Sequence, residues 1–155
     1  MIEKLIELLK EKKLKISTAE SCTGGMLSAL ITGISGSSDV FSYGFITYSN
    51  DAKVKLLGVS EDALRVSGAV SEEAALEMCR GARRAACSDI AVAITGIAGP
   101  KSDNTNKPVG LVYIGLSSQA GEVCGKFLFN GSRDEIRTQS VNAAIELCIN
   151  AITIE

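Results

Sequence analysis

The chain has 155 residues and not one histidine. That absence removes the Ser-His-Asp and Cys-His hydrolytic sites, and with them zinc sites of the HExxH and Cys2His2 kinds, because no imidazole is present to act as base or ligand. A hydrolase made from this chain must move its protons with another group. Tryptophan is absent too, proline occurs twice, and no two of the five cysteines stand in CxxC spacing. The cysteines are odd in number and far apart, so a disulfide framework is not indicated. Cys79, Cys87, Cys124 and Cys148 read as small, reduced core residues; Cys22 stands apart because it precedes a glycine pair.

Charge of one sign is also lacking. Sixteen basic residues face eighteen acidic ones, and the net charge of −2 is spread in mixed-sign company with no Lys/Arg stripe, which excludes nucleic acid as the expected partner. No apolar run reaches bilayer length, and the opening MIEKLIELLKEKKLK interleaves charges with apolar residues at helical spacing, unlike a signal peptide. The expectation is a cytoplasmic protein with no membrane partner. At 46% hydrophobic and 22% charged the composition is that of a folded globule, and its length suits one domain, residues 1–155, that needs no disulfide or metal staple.

No repeat or linker divides the chain, and its periodicities alternate. Ile2, Leu5, Ile6, Leu8 and Leu9 form one face of an opening helix, followed by an extended stretch at Lys15 to Thr18. MLSALITGI predicts a helix ending near Gly33 or Gly36, Phe41 to Ser49 a strand, and Asp51 to Leu57 a short helix or turn. Ser71, ahead of Glu72 and Glu73, is a helix start, with Ala75, Met78, Cys79, Ala82 and Ala86 as its buried stripe. Asp89 to Thr95 is a short, nearly unbroken apolar run that suits a strand covered on both faces. GLVYIGLSS and EVCGKFLFN flank a turn and read as a β-hairpin, and a last helix from about Arg133 to Ala151 presents Ile136, Ser140, Ala143, Leu147 and Ala151. The fold class that packs these elements is α/β: a layered α/β/α domain on a mixed, partly parallel sheet.

Glycines collect where strands end. Thr18-Ala19-Glu20-Ser21-Cys22-Thr23-Gly24-Gly25 lies between a strand and a helix, where backbone N–H groups can converge on an anion or oxyanion. It is neither a Walker A loop nor GxGxxG, and on spacing alone it is equally a turn in which Glu20, Ser21 or Thr23 caps the helix. Gly36-Ser37-Ser38 and then Tyr48-Ser49-Asn50-Asp51-Ala52-Lys53 place a phenol, a hydroxyl, an amide and an amine within six residues, though Ser49-Asn50-Asp51 is also ordinary turn chemistry. Thr95-Gly96-Ile97-Ala98-Gly99-Pro100 opens a long loop through KSDNTN to Lys107-Pro108-Val109-Gly110; long loops in compact domains are usually functional or mobile. Asn130-Gly131-Ser132-Arg133 begins the last helix, with Arg137 one turn beyond.

AESCTGG, GSS with YSNDAK, LLGV, GAVSEE, TGIAGP and KPVG occur in this order. Together they resemble the CinA C-terminal domain family, whose members include nicotinamide mononucleotide (NMN) deamidases of the PncC type; the resemblance runs from about Ile2 to Ala151, as a stand-alone domain. It implies an amidohydrolase that releases ammonia from NMN and leaves nicotinate mononucleotide, with no cofactor and no metal. It further implies Ser21 as nucleophile, Lys53 as general base, and Tyr48 and Thr95 as supporting catalytic groups. Substrate contacts carried over by motif are Glu20, Thr23, Gly24, Gly25, Asn50 and Gly96, with Arg133 and Arg137 competing for one role. A homo-oligomer is implied by the same likeness. The chain departs from the family pattern after the TGIAGP proline, where a Gly-Gly pair is common and Lys101-Ser102-Asp103-Asn104 stands here.

The residues make that chemistry coherent. A serine hydroxyl needs a base to take its proton, and without histidine a neutral lysine is the candidate. A free lysine, with a pKa of about 10.4, is almost wholly charged near neutrality, so Lys53 has to be desolvated or set beside another cation. Backbone N–H groups of Thr23 to Gly25 would hold the oxyanion. Two rivals stay open on sequence: Cys22 as nucleophile, near a helix N-terminus that favours thiolate, and a nucleotide-binding or partner-binding module with no turnover.

Overall fold

A strand that is apolar on both faces must be covered on both, and that requirement organises the molecule around β3 (Ile90–Gly96). The computed structural model describes residues 1–154. Its sheet has five strands in the order β2-β1-β3-β4-β5, where β1 spans Ile16–Glu20, β2 Phe41–Ile46, β4 Leu111–Ser118 and β5 Gly121–Leu128. β1 runs parallel to both its neighbours, whereas β4 and β5 are antiparallel. This is the mixed, partly parallel sheet of the expected α/β/α layering.

Alternation along β3 assigns the layers. Val92 and Ile94 join a core with Leu5 and Leu9 of α1 (Ile2–Lys12), Leu27 and Ile31 of α2 (Met26–Thr32), and Ile136, Val141 and Ile145 of α6 (Arg133–Ile154). Ala91 and Ala93 point the other way, to Met78, Cys79 and Ala82 of α5 (Glu72–Ala86) and Leu57 of α3 (Asn50–Leu57). The second face is lined by small residues, so α5 lies close to the sheet. A Cβ on Gly115 of β4 would stand 2.7 Å from the Ala75 carbonyl oxygen. The closest approach is between helices: a Cβ on Gly81 would stand 1.9 Å from the carbonyl oxygen of Leu57, which locks α3 against α5. Arg84 of α5 donates to the same Leu57 oxygen at 3.2 Å.

Local chemistry sets the element ends. Ser71 Oγ accepts from the Ala74 N–H at 3.1 Å, a cap worth about 1 kcal/mol, and Ser60 caps α4 (Glu61–Val66) in the same way. No helix was expected over residues 61–66; six residues are too few to show a periodicity. The second strand stops at Ile46 instead of Ser49, because Ser49 is the cap of α3.

Three further expectations are corrected. On α6 only Ile136 and Ser140 of the proposed stripe are buried, and Ala143, Leu147 and Ala151 are half-buried. The covered arc is wider and is rotated to Val141, Ala144, Ile145, Cys148 and Ile152, because α6 packs against both the sheet and α1. Of the cysteines, Cys79 and Cys148 are core residues, but Cys124 is half-buried, and Cys87 is exposed at the left-handed end of α5, with φ 50°. Ala86 beside it is half-buried, where α5 runs out of the sheet's shelter. Among the described residues no helix is long and apolar enough to cross a membrane.

Candidate active site

After β1 the chain turns through α2 to β2 on one side, and after β3 it crosses to β4 on the other. The C-terminal ends of β1 and β3 therefore flank a topological switch point, where open α/β sheets form their ligand crevice. Ser21 is the first residue beyond β1, and its N–H donates to Ile94 O of β3 at 2.9 Å, extending the pairing by one step. Thr47, leaving β2, donates its N–H to Glu20 O at 3.0 Å. Three strand ends are thus tied together around the hydroxyl of Ser21.

Lys53 reaches this point from α3. Ser49 Oγ accepts from the Ala52 N–H at 3.0 Å, which starts the helix with Lys53 and, one turn on, Leu57 on the buried face. Lys53 is only 1% exposed. Its Nζ donates to Ser21 Oγ at 2.9 Å and to the Thr47 carbonyl at 2.8 Å. Taking the ammonium out of water lowers its pKa from the ordinary lysine value to about 8, against a small opposing pull from Cys22. Burial acts on Cys22 in the other sense, pushing its thiol up to about 11 despite the nearby cations. The local rivalry between the two nucleophiles is thereby weighted to Ser21: the lysine is tuned towards its neutral form and the cysteine away from its thiolate.

A cavity of about 240 Å³ opens over the pair. Ser21, Cys22 and Lys53 share its lining with Tyr48 and Asn50, with Ala69 and Val70 from the α4–α5 connection, with Thr95, Gly96 and Gly99 at the exit of β3, and with Arg133. Ile97 and Ala98, with Lys101, Ser102 and Asp103 of the loop that follows, complete the wall. Arg133 is fixed by donating to Gly99 O at 2.7 Å and to Tyr48 Oη at 3.1 Å. Gly96 is required by packing, because a Cβ there would stand 2.6 Å from Val112 Cγ2.

Thr95 belongs to the cavity, but its hydroxyl donates to Ala69 O at 2.6 Å, so it acts on the wall. Lys107 Nζ holds the same segment by donating to Ser67 O at 2.5 Å and Val70 O at 2.6 Å. Ala69 and Val70 were not among the site residues expected from sequence, where GAVSEE marked a helix start and one of the ordered motifs.

Five of the expected substrate contacts lie outside the cavity lining: Glu20, Thr23, Gly24, Gly25 and Arg137. Glu20 is fully buried, and its carboxylate accepts from the Leu27 N–H at 2.9 Å, the Ser28 N–H at 3.0 Å and Ser28 Oγ at 2.7 Å. It anchors the start of α2 and has no face left for a ligand. Gly24 and Gly25, with φ of 56° and 105°, make the turn that no side-chain-bearing residue adopts easily. The Gly24 N–H closes that turn on Ser21 O at 3.1 Å, so it is removed from the expected oxyanion donors. Arg137 donates to Cys22 O and Thr23 O, each at 3.0 Å, which leaves Arg133 as the arginine that faces the cavity.

Known proteins match the chain over nearly its whole length. A family model for the CinA C-terminal domain matches residues 1–152. A CinA-like protein of Thermotoga neapolitana is 48% identical over 146 residues, 94% of this chain and 36% of its own length. The chain thus spans about a third of the curated relatives it matches. Among solved structures, a CinA superfamily protein of Klebsiella pneumoniae superposes with a TM-score of 0.97 at 29% identity, over 99% of this chain and 96% of that one. A competence/damage inducible protein from Agrobacterium tumefaciens gives 0.93 at 40% identity, over 98% and 93%.

Proposed function

The chain belongs to the CinA C-terminal domain family, and from that premise we propose that it is an amidohydrolase that converts NMN to nicotinate mononucleotide and ammonia with Ser21 as nucleophile and Lys53 as base. The observation that carries the reading is the 2.9 Å contact between Ser21 Oγ and a lysine nitrogen stripped of water, at the floor of a cavity large enough for a small ligand. With a pKa of about 8, roughly a tenth of Lys53 is neutral at pH 7, against less than a thousandth of a free lysine. A substrate carrying a pyridinium charge would raise the neutral fraction further.

In the proposed cycle neutral Lys53 takes the Ser21 proton as Oγ bonds to the carboxamide carbon, and the carbonyl electrons move onto oxygen. Backbone N–H groups of the turn after Ser21, other than the engaged Gly24 N–H, stabilise that oxyanion. The lysine then passes its proton to the amide nitrogen, the C–N bond breaks, and ammonia leaves behind an acyl ester on Ser21. Water, giving a proton to Lys53, attacks the ester, and the carboxylate product departs as Ser21 regains its proton. Tyr48 and Arg133, joined to each other, are positioned to receive the nucleotide's phosphate and keep it clear of the reacting carbon.

The test is ammonia release from NMN by the purified chain, with Ser21→Ala and Lys53→Ala as controls. Turnover lost in both variants supports the reading. Turnover unchanged in both, or tight nucleotide binding with no ammonia from the parent protein, overturns it.

A further inference from the structure

We propose that Arg137 is a positioning residue for catalysis: it locks the peptides of Cys22 and Thr23 and so holds the turn that presents Ser21 to the cavity. The inference rests on Ser21 being the nucleophile of the reaction above.

Arg137 extends from the second turn of α6, and its guanidinium grips two successive carbonyls: Nε donates to Cys22 O and Nη2 to Thr23 O, both at 3.0 Å. The planar fork matches this demand, since two donors at fixed separation hold two acceptors at fixed orientation. In a trans peptide the N–H points opposite to the preceding carbonyl. Holding Cys22 O therefore turns the Thr23 N–H away from the arginine, and holding Thr23 O turns the Gly24 N–H away in the same manner. The second consequence is directly visible, because the Gly24 N–H is received by Ser21 O at 3.1 Å. The turn that follows Ser21 is thereby fixed at two successive peptides.

Several neighbours make the arginine the part that holds this turn. The Thr23 side chain is fully buried, and its hydroxyl has no hydrogen-bond partner, so it does not brace the turn itself. Gly24 and Gly25 bring backbone freedom and no side chain. Glu20 fixes only the far side, at Leu27 and Ser28. Ion pairing does not account for the arginine's placement either, because its nearest carboxylate, Asp134, is 3.8 Å away and almost fully exposed. A positive charge directed at carbonyls also strengthens the N–H dipoles on the opposite side of the same peptides.

The experiment follows Ser21 without reliance on NMN. A fluorophosphonate reacts with an activated serine by forming a P–O bond as the P–F bond breaks; fluoride leaves, the serine proton passes to Lys53, and the phosphoryl oxygen takes the oxyanion's place. Labelling rates are measured against pH for the parent, Arg137→Ala and Arg137→Lys, with Ser21→Ala as blank, beside steady-state NMN kinetics. The expected result for Arg137→Ala is labelling slower by roughly 10- to 100-fold with its pH midpoint still near 8, where Lys53 titrates. Its kcat should fall with KM nearly unchanged, and Arg137→Lys should recover part of the loss. Labelling at the parent rate overturns the proposal. So does a raised KM at constant kcat, which makes Arg137 a substrate ligand, or a midpoint displaced towards that of free lysine, which means the site has come apart. A parent protein that labels at Ser21 yet releases no ammonia from NMN refutes the substrate reading alone, and the Arg137 variants are then judged on labelling.

Discussion

Lys53 Nζ stands 2.9 Å from Ser21 Oγ although the two residues are 32 positions apart in the chain. The gap is closed by Thr47, whose N–H holds the carbonyl of Glu20 while its own carbonyl receives the lysine. Ser21 and Lys53 are thus referred to the same backbone residue, and their separation is set by strand pairing, not by two flexible side chains meeting by chance. Three strand ends and one helix start supply that rigidity, which favours a preorganised proton transfer.

The first prediction concerns pH. In the proposed reaction the neutral amine is the working form of Lys53, so kcat/KM should climb with pH and level off above about 8, giving a rising limb where a histidine-based enzyme would show one nearer 6.5. Ammonia release measured from pH 5.5 to 9.5 checks it. Lys53→Ala should lose at least a thousandfold in rate and the limb with it; a flat parent profile across that range contradicts the assignment.

Stability should carry the same titration. Lys53 has a folded pKa of about 8 and an unfolded value of about 10.4, so between them the unfolded chain binds more protons and stability rises with pH. Below that window the buried ammonium costs on the order of 3 kcal/mol relative to the neutral amine. Lys53→Met has no such term. Urea unfolding of both proteins at pH 7 and pH 10 should show the parent gaining on the variant as pH rises, and a difference independent of pH would refute the shift.

Cys22 offers a negative prediction. Its thiol is pushed to about 11 by burial, so thiolate is scarce at neutral pH and Cys22→Ala should keep its rate within about threefold, at a stability cost of roughly 1–2 kcal/mol. A loss comparable to that of Ser21→Ala would transfer the nucleophile's role to sulfur.

Arg133 and Tyr48 should separate binding from chemistry. Arg133→Ala removes the cation joined to Gly99 O and Tyr48 Oη at the cavity wall, and KM for NMN is expected to rise about 10- to 100-fold, in line with loss of a charged hydrogen bond to phosphate. Tyr48→Phe should have the smaller effect, since the arginine keeps its bond to Gly99. A substrate lacking the phosphate should discriminate little between parent and Arg133→Ala, which a comparison of the two KM ratios tests.

The layers were legible because two periodicities carried them: Ala91, Val92, Ala93 and Ile94 read as a strand covered on both faces, and Ser71 with its two acids marks a helix start that the structure reproduces. The α6 stripe was misread because a helix sheltered on two sides has no single apolar line to find. At the site, the ordered motifs pointed to Ser21 and Lys53, but nothing local could separate Arg133 from Arg137. They sit on successive turns of one helix, and which of them faces the cavity depends on where the Cys22 and Thr23 carbonyls lie. Glu20 came to the substrate contacts with the AESCTGG motif, although the same stretch was equally legible as a helix cap. The Glu20 side chain occupies the orphan N–H groups at the start of α2, seven and eight residues ahead.

Gly81 never approaches the cavity, yet it bears on the chemistry. Its missing side chain lets α5 rest against the Leu57 carbonyl, where even a methyl group would intrude to 1.9 Å, and Leu57 is one helical turn from Lys53 on the same buried face. The seam between the two helices works as a gauge block of one hydrogen's thickness. Because the lever from Leu57 to Lys53 is a single turn, a shim inserted there would travel to the amine almost undiminished, and reactivity would register a change in a contact that no substrate ever meets.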